Sequence, residues 1–538
     1  MTGLALLIGL LSVGRLLAAS PCEGLASLSL ANTTIATAAS VRAGPFTAPD
    51  GTLFPSLPAF CRVVGSIRPT ADSDIRFEVW MPGSAWNGRF AGADNGGFAG
   101  SINYGKIGDA LSHGYAAAST DTGHQAGSLG VLDASWALGH PDKVVDFGYR
   151  AIHETAQTAQ AIVAAFYGRA PDHSYFNGCS NGGRQALMEA QRYPADYDGI
   201  IAGSPAGYWT HLLSSGVWDN QVLAQNYLAP SKLPAIEAAA LAACDALDGV
   251  VDGVIDDPRK CHFDPSTLLC QSAESDACLT APQIATLKAL YAGPVNSEGI
   301  QVFPGYPVGG QTGANGWPLW VTGATQGTGG LFAFGYYFFS NMVYGNPNWN
   351  PLAFDTDSDV AAADAATGAT LNAINPDLSA FRERGGKLIL FHGWSDPAIA
   401  TESTIDYYDS VIPDRKRSYV RLFLAPGMQH CEYGPGPDSF GQNGFDQGDP
   451  QHDLESALEL WVEHGVAPER IVATKYNTDL DPTSGVIRTR PLCAYPAAAR
   501  WLGYGSTDDA ANFVCVAATS QVRRPFSLPY PLFVTSAL

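Results

Sequence analysis

A serine at a glycine-flanked corner is the first candidate for chemistry in this chain. Ser180 is the centre of Gly178-Cys179-Ser180-Asn181-Gly182, between the apolar run 174–176 and a stretch of helix formers at 183–189. A strand, a Gly-x-Ser-x-Gly corner and a helix make a nucleophile elbow, in which glycines permit the sharp turn that exposes the hydroxyl. The bare pattern is weak in a glycine-rich chain. Its context nevertheless predicts that Ser180 is a nucleophile.

A reactive serine needs a base that takes its proton and a carboxylate that orients the base. In enzymes with a nucleophile elbow, the chain order is Ser, then Asp or Glu, then His. Asp396 lies in the loop after the apolar run 387–391, and His430 lies in the loop after 421–424. His392 is the main rival as base, but it precedes Asp396. The order therefore predicts a triad of Ser180, Asp396 and His430.

Two cysteines flank the proposed nucleophile and base. Cys179 precedes Ser180, and Cys431 follows His430. A Ser–His hydrogen bond of roughly 3 Å brings these cysteines within the ~4.4–6.8 Å Cα separation of a disulfide. The alternative is two unrelated buried cysteines. We predict a bridge, which by chain entropy contributes on the order of 5 kcal/mol.

Acyl transfer also needs hydrogen-bond donors for the oxyanion that forms on the substrate. The backbone N–H of Asn181 follows the nucleophile directly and is the first candidate. Gly96 and Gly97, after an early strand-like segment, are candidates for the second donor, since glycine lets the backbone approach a substrate closely. A plain Gly-Gly turn is the alternative for these two residues.

The elements that hold these residues follow an alternating pattern of strands and helices. Strand-like runs occur at 75–82, 89–93, 115–121, 200–203, 387–391 and 421–424, and a helical run occurs at 143–167. This alternation predicts an α/β fold with a mostly parallel central sheet flanked by helices. Residues 21–70 are predicted to contain only loops and short elements. Between 204 and 386 the alternation fails, which predicts an inserted lid domain.

Composition and charge exclude several classes of protein. The chain has 538 residues, of which 46% are hydrophobic and 15% charged, and its formal net charge is −21. These values are typical of a well-packed, loop-rich globular enzyme. Because the chain would repel phosphate, we expect neither nucleic acid nor a membrane as a partner.

The N-terminus and the cysteines indicate the compartment. Residues 1–20 have the apolar run and the small-residue end of a signal peptide, although no Lys or Arg precedes the run. A buried N-terminal helix is the alternative. Ten cysteines without a Cys-x-x-Cys pair agree with an oxidising compartment and argue against a zinc cluster. Sequence alone cannot fix the connectivity. The simplest pairing joins Cys22/Cys61, Cys244/Cys261, Cys270/Cys278 and Cys493/Cys515.

These motifs together resemble the tannase and feruloyl esterase family of α/β-hydrolases. The resemblance rests on Gly-Cys-Ser-x-Gly-Gly at 178–183, His-Gly-x-x-Asp at 392–396 and Pro-Gly-x-x-His-Cys at 426–431. It implies the α/β-hydrolase fold, with a signal peptide at 1–20, a catalytic domain at 21–204 and 387–538, and a lid at 205–386. It also implies the same triad and the same Cys179–Cys431 bridge.

The family resemblance also suggests a cofactor. Residues 244–256 crowd carboxylates into a glycine-punctuated loop, which by itself is explained equally well by Asp-Gly turns or by a metal site. The resemblance implies a structural Ca²⁺ held in the lid by the side chains of Asp245, Asp248 and Asp252 and the carbonyls of Val250 and Val254.

Members of this family cleave esters of aromatic acids. We therefore expect a secreted or periplasmic serine esterase that acts on small aromatic esters, including those attached to plant cell-wall polysaccharide. Feruloyl esters are the first expectation, because the run 344–349 looks like the feruloyl esterase branch. Galloyl esters and the terephthalate monoester are alternatives, and no lid arginine is identified that would pair a terephthalate carboxylate. A catalytically silent relative that binds aromatic ligands is the rival from another class.

Overall fold

The computed structural model describes residues 19–412, 418–445 and 448–517. The predicted signal peptide, residues 1–20, therefore lies almost wholly outside the described residues. The strands are β1 (Thr33–Val41), β2 (Gly44–Thr47), β3 (Leu53–Leu57), β4 (Phe60–Ile67), β5 (Ile75–Pro82), β6 (Arg89–Ala93), β7 (Ala116–Thr120), β8 (His173–Cys179), β9 (Gly199–Gly203), β10 (Lys387–Gly393), β11 (Val420–Ala425), β12 (Arg470–Tyr476), β13 (Val486–Cys493), β14 (Ala498–Trp501) and β15 (Phe513–Val516).

Helices connect and cover these strands. They are α1 (Tyr104–Ser112), α2 (Pro141–Val145), α3 (Ala151–Tyr167), α4 (Asn181–Arg192), α5 (Trp209–Gln225), α6 (Leu233–Cys244), α7 (Ala281–Ala292), α8 (Trp317–Trp320), α9 (Gly330–Tyr337), α10 (Ser358–Ala363), α11 (Ala369–Leu371), α12 (Ser379–Glu383), α13 (Thr401–Val411) and α14 (Leu454–His464). None of these described helices combines the length and the apolar composition needed to cross a bilayer.

Nine strands of the described residues form the central sheet. Their spatial order is β1-β4-β5-β7-β6-β8-β9-β10-β11. The pairs from β1 to β7 are antiparallel, and the five pairs from β7 to β11 are parallel. The predicted mostly parallel sheet is therefore confirmed, and the proposed nucleophile follows a strand in its parallel half.

Both faces of the parallel half are buried, as a parallel sheet covered by helices requires. Along the inner strands, neighbouring side chains point to opposite faces. Ile200 and Leu390 belong to the apolar core under α3, α4 and α13. Ile201 and Phe391 belong to the core under α1 and α14. This double cover fixes the strand ends and the loops that follow them.

The prediction of loops and short elements for residues 21–70 is wrong. Both β1 and β4 lie in this segment, and they form the antiparallel edge of the central sheet. β1 is rich in Ala and Thr, and its burial is irregular, so it lacks a strong apolar alternation. β4 alternates, with Val63 and Ile67 inward, but Arg62 and Gly65 weaken the pattern in the sequence.

The segment between β9 and β10 carries the additional helices α5 to α12 and no strand of the central sheet, and the structure describes all of it. Its apolar core includes Leu212, Val217, Leu287 and Phe338. We call residues 205–386 the lid. The domain boundaries that the sequence predicts are not tested by this arrangement and stay predictions.

Disulfides tie the chain at five places, and no described cysteine is free. The pairs are Cys22–Cys61, Cys179–Cys431, Cys244–Cys261, Cys270–Cys278 and Cys493–Cys515. This is the pairing that the sequence predicts. Four of the bridges are local, closing loops of 8 to 39 residues, whereas Cys179–Cys431 spans 252 residues.

Candidate active site

Ser180 forms the corner between β8 and α4. Its backbone has φ 64° and ψ −124°, a region that costs about 1–3 kcal/mol for a non-glycine residue and clusters at active sites. Position 182 requires glycine because Asp94 lies very close to it. A Cβ on Gly182 would lie 1.8 Å from Asp94 Oδ2. The same carboxylate oxygen accepts the Cys179 N–H at 2.9 Å. Asp94 therefore stabilises the strained backbone at Ser180 through its hydrogen bond to Cys179 and its packing against Gly182.

Asp396 and His430 follow the ends of β10 and β11. His430 Nδ1 lies 2.8 Å from Asp396 Oδ2. The other carboxylate oxygen, Oδ1, accepts the backbone N–H groups of Ala398 and Ile399 at 2.8 and 2.9 Å. Since the carboxylate can only accept, the His430 proton is on Nδ1, and Nε2 is left to take a proton from elsewhere.

A second histidine also contacts this carboxylate. His392 Nε2 lies 3.1 Å from Asp396 Oδ2 and 3.0 Å from the Ile399 carbonyl, while its Nδ1 accepts from the Thr404 hydroxyl at 2.8 Å. Burial alone would raise the pKa of Asp396, but the adjacent His430 and His392 more than offset this and hold the pKa below its ordinary value. Asp396 therefore stays ionised. His392, which the sequence considers as a rival base, instead packs against the carboxylate.

The disulfide between the flanking cysteines links the residues next to the proposed nucleophile and the proposed base. The Cα atoms of Cys179 and Cys431 are 6.1 Å apart. Ser180 and His430 line one cavity of about 340 Å³. Within the described chain, no hydrogen bond joins the Ser180 hydroxyl to the His430 ring. Such bonds are often long in ligand-free enzymes and tighten when substrate binds.

Two of the three residues predicted to supply oxyanion donors line this cavity. Asn181 and Gly97 line it, whereas Gly96 is exposed and is not one of the described residues that line it. Asn181 is the first residue of α4, so its N–H has no acceptor within the helix. Gly97 has φ 55°, and a Cβ there would lie 2.7 Å from the Val131 carbonyl. Glycine is therefore required at position 97 for the backbone to stand where it does.

The lid supplies most of the aromatic wall of the cavity. Trp320 packs edge-to-face on the His430 ring, with 4.9 Å between ring centroids. Asn315 accepts the Trp320 indole N–H and donates to the His430 carbonyl, both at 2.7 Å. Of the described residues that line the cavity, none is Asp, Glu, Lys or Arg. The site is thus an apolar chamber with aromatic side chains near the base.

Sequence reasoning missed Asn315 and Trp320. The aromatic richness that it noted in the lid, at 331–339 and 344–349, does include Phe334, which lines the cavity. The signal for Trp320 was weak, because a Trp in an apolar segment is usually part of the hydrophobic core.

A larger cavity, of about 700 Å³, lies between the lid and α13, and no residue of the proposed triad lines it.

The predicted calcium ligands lie in one turn of the lid. Asp245 accepts the N–H groups of Asp252 and Gly253, at 3.1 and 3.0 Å. Asp252 also pairs with Arg488 and Arg490. Within the described residues, the side chains do not form a ready cluster of three or more metal-binding groups.

Burial dominates the electrostatics of this turn. It raises the pKa of Asp248 and of Asp252, and the Arg490 guanidinium offsets part of the effect at Asp252. Burial and the nearby Asp248 raise the pKa of Asp256 to about 7. The donor types, carboxylates and carbonyls, are those that a hard cation prefers, and a divalent cation would favour the ionised carboxylates.

Comparison with known proteins gives a consistent result. Residues 61–516 match the family described as tannase and feruloyl esterase. An uncharacterised esterase of Xanthomonas campestris pv. campestris is 46% identical over 95% of this chain and 94% of its own length. A mono(2-hydroxyethyl) terephthalate hydrolase of Piscinibacter sakaiensis is 35% identical over 90% of this chain and 89% of its own.

A solved structure extends the similarity to the fold. The crystal structure of feruloyl esterase B from Aspergillus oryzae superposes with a TM-score of 0.84, at 31% identity, over 92% of this chain and 99% of that one. Together with the helix-covered mixed sheet, this similarity confirms the predicted α/β-hydrolase fold.

Proposed function

The chain belongs to the tannase and feruloyl esterase family and is a carboxylic ester hydrolase, and we propose that it works through an acyl-enzyme on Ser180. The observation that carries the proposal is the shared cavity of Ser180 and His430, with His430 held by the buried, ionised Asp396. Nucleophile, base and orienting carboxylate are the three parts that nucleophilic acyl transfer needs.

In the acylation step, His430 Nε2 takes the proton of Ser180 as its oxygen attacks the ester carbonyl. The negative charge on the carbonyl oxygen is stabilised by the N–H groups of Asn181 and of the Gly96–Gly97 turn. The alcohol then leaves with the proton from His430. The imidazolium that forms is stabilised by Asp396, whose low pKa keeps it negatively charged throughout.

In the deacylation step, water takes the place of the alcohol. His430 removes a proton from the water, which attacks the acyl carbonyl and releases the aromatic acid. Trp320 covers one side of His430, so the base is partly shielded from bulk solvent. Shielding strengthens the electrostatic interactions on which both steps depend.

We propose that the acyl group is aromatic and uncharged, with feruloyl (hydroxycinnamoyl) esters as the first substrates. The wall formed by Trp209, Trp320 and Phe334 suits a flat ring. A galloyl group carries more hydroxyls than this apolar chamber can pair. The alcohol part includes sugars of plant cell-wall polysaccharide in this proposal.

The terephthalate monoester is the second candidate, and the similarity to the Piscinibacter sakaiensis hydrolase favours it. Its free carboxylate would need a cation, and no Lys or Arg is among the described residues that line the cavity. Burying an unpaired carboxylate there would be costly. This contrast makes the feruloyl ester the better substrate.

The test is a comparison of hydrolysis rates. We expect kcat/KM for methyl ferulate to exceed that for methyl gallate and for mono(2-hydroxyethyl) terephthalate. Rapid mixing with an aromatic p-nitrophenyl ester should give a burst of one p-nitrophenolate per active site, and Ser180→Ala should abolish both burst and turnover. Equal burst amplitude in Ser180→Ala would overturn the mechanism, whereas binding without any turnover in the wild type would favour a silent ligand-binding relative. Faster hydrolysis of the terephthalate monoester would overturn the acyl-group assignment.

We also propose a structural Ca²⁺ in the lid, held by Asp245, Asp248 and Asp252 with the carbonyls of Val250 and Val254. The proposal is supported by the donor types and by the buried, mutually repelling carboxylates of the turn. When bound, the ion would neutralise them and tie the turn together. A chelator should lower Tm in the wild type and leave Tm unchanged in Asp248→Asn, which already lacks the site. An unchanged wild-type Tm would contradict the proposal.

Secretion to the periplasm or the cell exterior is the remaining part of the proposed function. The five disulfides support it, since disulfides persist in oxidising compartments. N-terminal sequencing of the mature protein tests it, and a chain that begins near residue 21 is the expected result. A mature chain that retains residues 1–20 would contradict the proposed signal peptide.

A further inference from the structure

An arginine lies fully buried in the first turn of the helix that follows the nucleophile. The Arg184 side chain has no exposed surface. Its guanidinium donates to the carbonyls of Gly148 and Phe147, at 2.8 and 3.1 Å, and lies over the rings of Phe147 and Trp209. These contacts hold the group rigidly, because the planar fork leaves it few alternative positions.

Within the described residues, no Asp or Glu forms an ion pair with the Arg184 guanidinium, and burial and Arg192 are the influences on its pKa. Burial lowers the pKa of Arg184 to about 9, which still leaves it protonated at neutral pH. A buried positive charge without a counter-ion is costly to keep. Its retention beside the nucleophile therefore calls for a role beyond packing.

The Nε–H of Arg184 starts a chain of hydrogen bonds that ends at the turn with the candidate oxyanion donors. Arg184 Nε donates to Asn181 Oδ1 at 2.9 Å, and Asn181 Nδ2 donates to the Asn95 carbonyl at 3.0 Å. The first bond fixes the orientation of the Asn181 amide, because a flipped amide would oppose donor to donor and acceptor to acceptor. The second fixes the peptide plane between Asn95 and Gly96, from which Gly97 enters the cavity.

A second side chain of helix α4 also forms hydrogen bonds with Asn95. Gln185 Oε1 accepts the Asn95 N–H at 3.1 Å, and Gln185 Nε2 donates to Asn95 Oδ1 at 3.3 Å. Asn181 and Gln185 are four residues apart, so they lie on the same face of the helix. The N–H groups of Gly96 and Gly97 have no acceptor within the described residues, and that of Gly97, which lines the cavity, is available to a substrate oxygen.

We propose that Arg184 is a positioning residue of the oxyanion hole, which acts through the Asn181 side chain to hold the Asn95–Gly97 turn against the nucleophile. The inference rests on the proposed serine mechanism. Arg184 touches no substrate in it; it sets the spacing between the two backbone donors, one on α4 and one on the turn after β6. Such donors stabilise the oxyanion only when they are held in place beforehand.

Two variants test the proposal. Arg184→Met removes the donors at similar side-chain length, and Asn181→Leu removes the amide but keeps the backbone N–H. We expect kcat to fall about 10- to 100-fold in each variant. This decrease is no larger than the decrease that removal of a whole oxyanion donor causes. KM should change by less than about twofold. If Arg184→Met does not fold, Arg184→Lys keeps the charge without the planar fork and serves in its place.

The decisive readout is inhibition by an aryl boronic acid. Its boron accepts the Ser180 oxygen, whose proton passes to His430, and the tetrahedral anion that results mimics the oxyanion intermediate. The inhibition constant should rise by the factor by which kcat/KM falls, while that of the planar carboxylic acid product stays unchanged. Because both residues act through one link, the double variant should lose no more than Asn181→Leu alone.

Arg192→Met is the matched control. Arg192 lies on the same helix, donates to the Ala369 carbonyl and stacks on Tyr149, and it makes no contact with Asn181. Its boronate inhibition should equal that of the wild type. Unchanged boronate inhibition in the Arg184 and Asn181 variants, or losses that multiply in the double variant, would overturn the inference. Turnover that survives in Ser180→Ala would instead overturn the serine mechanism, so the two failures are distinguishable.

Discussion

Removal of the Cys179–Cys431 bridge should reduce activity far more than stability alone accounts for. The bridge joins the residues next to the proposed nucleophile and the proposed base, with its Cα atoms 6.1 Å apart. The double variant Cys179→Ala/Cys431→Ala frees the two loops to drift by fractions of an ångström. Misplacement of about 1 Å costs roughly 100-fold in rate when it separates reacting groups. We therefore expect kcat to fall by one to two orders of magnitude.

The effect on stability follows from the loop that each bridge closes. For a separation of 252 residues the chain-entropy model gives about 5 kcal/mol, and for the 22 residues of Cys493–Cys515 it gives about 3 kcal/mol. With an unfolding entropy of ~2.1 cal/mol/K per residue, these values correspond to Tm decreases of about 5 and 3 °C in a chain of 538 residues. The two bridges are thus expected to differ by only about 2 °C in their contributions to the Tm of the protein.

Cys493→Ala/Cys515→Ala is therefore the matched control. That bridge ties β13 to β15, and neither cysteine lines the cavity of Ser180. We would measure kcat and KM for an aromatic p-nitrophenyl ester at a temperature well below both Tm values, together with calorimetric melting. Full activity is expected in the control and a large loss in the Cys179/Cys431 variant. Equal activity in the two double variants would refute the idea that the bridge positions the catalytic groups.

Two further predictions follow from buried groups. Gly182→Ala would set a Cβ 1.8 Å from Asp94 Oδ2 and should lower stability by about 1–3 kcal/mol and greatly reduce turnover, whereas Gly105→Ala on α1, whose nearest neighbour would be 3.6 Å away, should leave both almost unchanged in melting and rate assays. Burial raises the pKa of Asp219 to about 7, partly offset by the Tyr306 hydroxyl, so the folded state holds a proton that the unfolded state releases near pH 4. The contribution of Asp219 to stability should therefore decrease as pH rises from about 4 to about 7, so Tm of Asp219→Asn relative to the wild type should rise over that range; a constant difference in Tm would contradict the assignment.

The sequence was enough to predict the candidate catalytic residues from their types and their positions after strands. The motifs around Ser180, Asp396 and His430 are local, and each follows a strand whose apolar run is visible in the chain. Chain order then separated His430 from His392, and the cysteine beside each predicted group indicated their proximity. Such features are readable because a strand end, a glycine corner and a neighbouring residue depend on only a few consecutive positions.

Contacts that depend on long-range packing were not predicted from the sequence. Strands β1 and β4 were missed because their own patterns are weak and their stability comes from burial and pairing, of β1 with β4 and of β4 with β5. The contact of Trp320 with His430 and the link from Arg184 through Asn181 to Asn95 each join residues from different elements. None of these partners follows from residue type or spacing alone.

Short local motifs carry the candidate chemistry, so the chain by itself predicted the cysteine pairs and the family, which are confirmed, and the roles of Ser180, Asp396 and His430, which stay predictions. Only the folded sheet and lid decided which polar groups meet in the apolar cavity and which side chains hold them. The physical reason is that a hydrogen bond or a ring contact requires two groups within a few ångströms, and for residues 34 to 115 positions apart that distance is set by the packing of whole elements.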